Sequence, residues 1–172
     1  EFIPVLEREG TVCTLDFYVL DKVCKAIKSW IDRGIEPVRV STNFSKVHLK
    51  NPALADKIFS TIDKYGIDPQ FIEIELTEMS GYDNYENLAE FIKSMRERGV
   101  HTSIDDFGTG YSSLNLLTDL DVDTVKLDKS YSIRLDNNEE KTKILIRNIV
   151  NMVHDLGFKV IITTNGTLLN QK

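Results

Sequence analysis

Helical and strand patterns alternate along almost the whole chain, and this alternation limits the fold more than any other feature. Apolar residues with a period of about 3.6 predict helices over 15–30, 53–65, 85–98 and 141–156, and a glycine follows each of them. Runs of β-branched and apolar residues predict strands over 38–42, 71–77, 100–104, 123–127 and 158–162. Repeated β-α-β units imply parallel strands with right-handed crossovers, so we expect an α/β fold.

Composition narrows the class of protein and of partner. The chain has 172 residues, 41% of them hydrophobic and 28% charged, which is typical of one globular domain. A net charge of -6 argues against nucleic acid as a partner, so a nucleotide ligand would be small and held through metals or backbone amides. No apolar stretch reaches the length of a membrane span. Cys13 and Cys24 have no metal-binding spacing, so we expect free thiols and a cytoplasmic location.

Polar residues alternate with apolar residues in four of the predicted strands. Alternate side chains of a strand point to opposite faces, and the apolar ones should face the helices. The opposite face then carries polar side chains at or near the carboxyl ends of the strands, namely Asn43, Glu75, Asp105 and Lys126. A β/α barrel builds its active site at those ends, so we expect a shared cavity there.

The third of these strands leads into two adjacent acids and a glycine-rich loop, Asp105-Asp106-Phe107-Gly108-Thr109-Gly110-Tyr111-Ser112-Ser113. Neighbouring carboxylates repel each other unless a cation lies between them. One hypothesis is therefore a metal site for phosphate chemistry. The alternative is an Asp N-cap and a glycine turn that lead into a short helix near 113–117.

The residue types on the polar face favour a hard divalent cation. An amide oxygen and several carboxylates suit Mg²⁺ or Mn²⁺ better than zinc, and the set contains no His or Cys. Such ions activate water against a phosphodiester, and Lys126 could position that water or stabilise the developing charge. The alternative is a buried ion pair of Lys126 with Glu75 or Asp128.

Five segments of the sequence, 2–7, 42–45, 75–78, 105–113 and 125–128, carry a family pattern. Together they resemble the EAL domain of bacterial cyclic-di-GMP phosphodiesterases. The similarity runs from Phe2 to about Val160 in the order and spacing of that family. Segment 2–7 resembles its FIP-x-x-E entry, 42–45 its VNLS strand and 75–78 its E-[IL]-T-E motif. Segment 105–113 reproduces DDFGTGYSS letter for letter, and 125–128 resembles the KID segment.

The resemblance implies a TIM-like β/α barrel that hydrolyses cyclic di-GMP to the linear dinucleotide with two Mg²⁺ or Mn²⁺ ions. By position, Asn43, Glu75 and Asp105 correspond to ligands of the first metal. Asp105 and Asp106 correspond to the carboxylates that face the second metal, and Lys126 corresponds to the residue that orients the attacking water.

The resemblance also implies a regulatory loop. Glu78 corresponds to a supporting acid that anchors the segment 107–113. In the family this loop couples metal binding, substrate binding and dimer contacts.

The chain departs from the family pattern in three ways. We expect the chain, taken as one EAL-like domain over 1–172, to be truncated at both ends relative to the family, without the E-x-L strand and with an incomplete barrel. Thr163 and Gly166 stand where the family's AEGVET segment has glutamates. We expect the strands that would close the barrel to be missing from 1–172, and therefore expect a homodimer or the support of other domains in a longer chain.

Three functions remain open. The first is a phosphodiesterase domain, which in this chain alone we expect to be weakly active or inactive because two acidic metal ligands are replaced. The second is a degenerate receptor that binds cyclic di-GMP, or a protein partner, without cleavage. The third is a structural remnant with neither ligand nor activity.

Overall fold

Five parallel strands form one sheet at the centre of the protein. The computed structural model describes residues 3–77, 85–108, 115–136 and 140–162. The strands are β1 (Val40–Phe44), β2 (Ile72–Thr77), β3 (His101–Phe107), β4 (Thr124–Leu127) and β5 (Lys159–Ile162), and they lie side by side in the order of the sequence. All four pairings are parallel, which confirms the predicted α/β class.

Two helices precede the first strand, and the others occupy the connections between the strands. The helices are α1 (Ile3–Glu9), α2 (Val12–Asp32), α3 (Leu54–Tyr65), α4 (Tyr85–Glu97), α5 (Asn115–Asp119), α6 (Lys129–Asp136) and α7 (Glu140–Asp155). Two short 3₁₀ helices, Lys46–Lys50 and Pro69–Phe71, follow β1 and precede β2. The four long helices lie where the periodicity predicts them, whereas α1 and α6 were not predicted.

The first strand lies two residues later than the sequence indicated. Val38, which was assigned to it, is 66% exposed and precedes the sheet, while Asn43 and Phe44 belong to the strand. The register explains the shift, because Val40 to Phe44 pair with Ile72 to Leu76.

The core lies between the helices and one face of the sheet. Ile72, Ile74, Leu76, Val125 and Leu127 are at most 2% exposed on that face. From α2 the buried residues Leu20, Cys24 and Ile27 pack into the same cluster. Each fully buried aliphatic side chain contributes about 1.5–3 kcal/mol of transfer free energy, so this face of the sheet holds the fold together.

Both cysteines are free, as their spacing predicts. Burial raises the pKa of the Cys24 thiol to about 12, so this side chain is an unreactive part of the core. Burial also raises the pKa of Cys13, which is only partly covered.

A polar network connects the amino ends of the strands, which we call the N-terminal edge. Arg39 donates from Nε to the Gln70 carbonyl (3.1 Å), and its Nη2 lies 2.6 Å from His101 Nε2. Since arginine only donates, Nε2 is the acceptor and Nδ1 carries the proton. Nδ1 lies 3.1 Å from Asp123 Oδ1, without hydrogen-bond alignment.

Asp123 completes this network through its remaining oxygens. Its Oδ2 accepts from the Thr102 amide (2.8 Å), and its carbonyl accepts from the Lys159 amide (3.1 Å). Residues before or in all five strands therefore take part in the network.

Candidate active site

Lys126 lies at the centre of the face of the sheet that the core does not cover. Its Nζ is 2.8 Å from Glu75 Oε2, 3.3 Å from Glu73 Oε1 and 3.4 Å from Ser41 Oγ. An ammonium has three N–H donors, and these three oxygens can accept all of them. Glu73, Glu75 and Lys126 are only 6–8% exposed, so the charges are held in a largely desolvated place.

Lys126 reaches this position by crossing a neighbouring strand. It belongs to β4, whereas both glutamates belong to β2, and β3 lies between the two strands. The β3 residue at the crossing is Ser103, which is fully buried and donates from Oγ to Glu73 Oε1 (2.9 Å). A small hydroxyl side chain leaves room for the lysine and also fixes the glutamate that the lysine contacts.

The residues of this group occupy the face that strand alternation predicts. Glu75 pairs in register with Asn43 on β1 and with Ser103 on β3, so the three side chains form a row across the sheet. Asn43 is exposed at the end of that row. We call Ser41, Asn43, Glu73, Glu75, Ser103, Asp105 and Lys126 the inner-face group.

A β-bulge places the two adjacent acids. Ile104 pairs with Val125 and Phe107 with Leu127, so β3 contains one residue more than β4 over this interval. Asp106 has a φ of 54°, in the left-handed region that only Asn, Asp and Gly adopt readily. Because of the bulge, the side-chain directions of Asp105 and Asp106 do not follow the simple alternation of a regular strand.

The bulge also returns Phe107 to the core. Strict alternation would put Phe107 on the face of Asp105, but the extra residue turns it to the helix-facing side, where it is 3% exposed. Its ring packs locally and does not line the inner face. Gly108 follows with a φ of 94°, and a side chain there would collide with Tyr131 of α6, whose hydroxyl donates to the Gly108 carbonyl (3.1 Å).

Negative charge exceeds positive charge where Glu75 and Asp105 meet. Burial raises the pKa of Glu75, Lys126 opposes this shift, and Asp105 adds to it. Burial alone would lower the pKa of Lys126, but Glu75 and Glu73 outweigh it and the pKa is raised. The lysine therefore stays charged and acts as counter-ion to two carboxylates.

Asp106 lies in a second acidic environment near the start of α6. Burial, Asp105 and Asp128 raise its pKa in that order, and Lys129 opposes them. Burial also acts to raise the pKa of Asp128, but hydrogen bonds from Ser130 outweigh it and the pKa is lowered. Asp128 Oδ1 accepts from the Ser130 amide (2.8 Å) in the first turn of α6.

Several contributors to the site have no distinct signal in the sequence. Ser41, Glu73 and Ser103 lie on the predicted face but were not treated as site residues, and only the contacts with Lys126 distinguish them. No sequence pattern connects Tyr131 with Gly108. Of the two ion pairs considered for Lys126, the one with Glu75 is present.

Several candidate residues fall outside the described ranges. They are Glu78, Thr109, Gly110, Tyr111, Ser112, Ser113, Thr163 and Gly166.

The donor set agrees with a hard divalent cation. Its atoms are carboxylate and amide oxygens, and the raised pKa values of Glu75 and Asp106 show acids that a cation would stabilise in their charged form. No three His, Cys, Asp or Glu side chains within the described ranges are arranged to hold a metal. In this arrangement the Glu75 carboxylate is paired with the Lys126 ammonium.

Residues 1–164 match the family model of the EAL domain. The chain belongs to the EAL domain family. It is 34% identical over 161 residues to the signaling protein YkoW of Bacillus subtilis, covering 94% of this chain and 20% of YkoW. It is 33% identical over 160 residues to the cyclic di-GMP phosphodiesterase NbdA of Pseudomonas aeruginosa, covering 93% of this chain and 20% of NbdA. The chain thus spans about a fifth of the length of these curated relatives.

A solved structure agrees with this membership. PaMucR phosphodiesterase in a c-di-GMP complex, a protein named MucR in Pseudomonas aeruginosa, superposes with a TM-score of 0.82 at 25% identity. The superposition covers 94% of this chain and 69% of the other. The fold is therefore that of the EAL TIM-like barrel, of which the five described strands form an incomplete part. Among the described helices, none has the length and apolarity to cross a membrane.

Proposed function

We propose that this EAL domain binds cyclic di-GMP at the carboxyl ends of its strands with the help of divalent cations. The observation that carries the proposal is the position of Lys126, whose ammonium lies 2.8 Å from Glu75 among acids with raised pKa values. This arrangement provides the oxygen ligands and the positive group that phosphodiester hydrolysis requires. The names of NbdA and MucR, which identify phosphodiesterases, support the choice of substrate.

Phosphodiesterases of this family depend on metal ions, and here we propose Mg²⁺ or Mn²⁺. Asn43, Glu75 and Asp105 would hold one ion, and Asp105 with Asp106 would face a second. Bound ions of this kind polarise the phosphodiester and lower the pKa of a bound water.

The residues of the chain would orient and desolvate the reacting groups. Lys126 would hold the attacking water once Glu75 has turned towards a cation. Asp106, strained at a φ of 54°, is directed by the bulge, and such strain is common where a side chain is aimed at a ligand. Glu78 and the loop 107–113 would connect substrate binding with association of the domain.

We propose that this chain by itself hydrolyses the nucleotide slowly or not at all. Thr163 and Gly166 replace two acids, and each lost carboxylate weakens the binding of a divalent cation. The active form would be a homodimer or part of a longer chain in the cytoplasm, where the two free thiols stay reduced.

A receptor without catalytic activity is the second candidate. It is favoured by the ion pair that already neutralises Glu75, since a lysine in that place removes part of the attraction for a metal. Such a domain would bind the nucleotide or a protein partner and leave the phosphodiester intact.

Calorimetric titration of cyclic di-GMP separates these candidates. The titration is run with Mn²⁺ and then with a chelator, and the nucleotide is afterwards analysed by chromatography. We expect metal-dependent binding and little linear dinucleotide. Turnover near that of a complete family member would contradict the low activity proposed here. The absence of binding would contradict the phosphodiesterase and the nucleotide receptor, and would leave only a domain that binds a protein partner.

A further inference from the structure

Glu73 has no role in the function proposed above, yet it is as deeply buried as Glu75 and Lys126, which have one. It is 6% exposed and lies two positions before Glu75 on the same face of β2. Its Oε1 accepts from Ser103 Oγ (2.9 Å) and lies 3.3 Å from Lys126 Nζ. A buried carboxylate with two fixed partners costs desolvation free energy, and this calls for an explanation.

Lys126 is shared between two acids that face different surroundings. Glu75 lies beside Asp105, nearer the carboxyl ends of the strands, whereas Glu73 pairs in register with His101 and Ser41, nearer the amino ends. A cation entering at the carboxyl ends would meet Glu75 first. It would then compete with the ammonium for the same carboxylate.

We infer that Glu73 is a positioning residue that retains Lys126 when Glu75 turns to a divalent cation. This inference rests on the proposed function. Two of the three acceptors of the ammonium, Glu73 and Ser41, do not belong to the proposed metal ligands. They keep Nζ charged and fixed while Glu75 is released, and Ser103 keeps Glu73 in place.

The effect of Glu73 on the affinity for a cation should therefore depend on the presence of Lys126. Without the charge at position 73, Lys126 has only Glu75 as an ionic partner, so a cation must break that pair. Loss of a negative charge near the site also weakens cation binding directly, and this part does not depend on the lysine. Comparison with a chain that lacks the lysine separates the two effects.

The test measures Mn²⁺ affinity from the EPR signal of the free ion for the wild type, Glu73→Gln, Lys126→Met and the double variant. We expect Glu73→Gln to weaken binding about tenfold in the wild-type chain and at most about twofold in the Lys126→Met chain. Glu73→Asp, which keeps the charge, should recover part of the loss. Glu36→Gln removes an exposed charge elsewhere and should change nothing.

The outcomes separate two kinds of failure. If Mn²⁺ binds but Glu73→Gln has the same effect with and without Lys126, Glu73 does not act through the lysine and the inference is overturned alone. If Mn²⁺ binds neither the wild type nor Lys126→Met, both the inference and the metal site of the proposed function are overturned. Should Glu73→Gln fail to fold by circular dichroism, Ser103→Ala replaces it, with a smaller loss expected in the same direction.

Discussion

Polar residues have opposite roles at the N-terminal edge and on the inner face near the carboxyl ends of the strands. At the N-terminal edge, Arg39, His101 and Asp123 form a network whose contacts connect the strands. On the inner face near the carboxyl ends, Glu75 and Asp106 have raised pKa values, and Asp106 adopts a strained backbone. The first arrangement stabilises the fold, whereas the second retains charge that a ligand could neutralise. The inner face near the carboxyl ends is therefore the place where this molecule gives up stability.

The largest effect should come from removing the positive charge on the inner face. Lys126→Met leaves Glu73 and Glu75 buried together, and the loss of one partner of a buried pair costs about 3 kcal/mol. Urea unfolding with and without Mn²⁺ measures this, and Mn²⁺ should restore part of the stability. If the variant is as stable as the wild type, the ammonium does not neutralise these acids.

A smaller loss of stability is expected at the N-terminal edge. Asp123→Ala leaves the Thr102 amide without its acceptor and removes the neighbour of His101, at a cost of about 2 kcal/mol. Affinity for cyclic di-GMP and Mn²⁺ should not change in the folded variant. A loss of affinity without unfolding would mean that the N-terminal edge is coupled to the inner face near the carboxyl ends.

Mild acid should stabilise the protein through the inner face. The pKa values of Glu75 and Asp106 are raised in the folded state, so their contribution to stability is complete below their ordinary values near 4 and is lost as the pH rises through the raised values. The free energy of unfolding should therefore rise as the pH falls from neutrality towards these ordinary values. Asp128, with a lowered pKa, acts the other way only below its ordinary 3.8.

The check is denaturant unfolding across this pH range for the wild type and for Asp106→Asn. The variant should show a smaller rise, because it lacks one of the two groups. An identical pH dependence in both proteins would show that Asp106 does not carry the effect.

The smallest effect is expected on the surface of α2, away from both edges. Lys28 and Asp32 form an ion pair at 2.7 Å, but their side chains are 43% and 58% exposed. Asp32→Asn should cost at most about 0.5 kcal/mol, and high salt should remove the difference from the wild type. A loss above about 1 kcal/mol would mean that exposure is a poor guide to the importance of ion pairs in this chain.

The sequence predicts on which face of the sheet each polar side chain lies, but it does not predict how far that side chain extends. Alternation within β2 and β4 places Glu75 and Lys126 on the same face, because the period of a strand is two. It says nothing of how far Lys126 extends, so its crossing of β3 and its contact with Glu73 required the structure.

The bulge in β3 shows a second limit. Alternation predicts that Phe107 shares the face of Asp105, but the pairing of β3 with β4 inserts an extra residue and turns the ring into the core. A bulge depends on the register between two strands that are distant in sequence, and a local pattern does not contain that information. For α6, Asp128 was available as an N-terminal cap, but the weak amphipathic pattern that follows concealed the helix.

The most direct test of this account is a calorimetric titration of cyclic di-GMP with Mn²⁺ into three chains: the wild type, Asp105→Asn and Asp123→Ala. We predict that Asp105→Asn abolishes metal-dependent binding, while Asp123→Ala binds as the wild type does, provided that both variants are folded by circular dichroism. Equal binding by the wild type and Asp105→Asn would contradict the claim that the inner face near the carboxyl ends of the strands is the functional site.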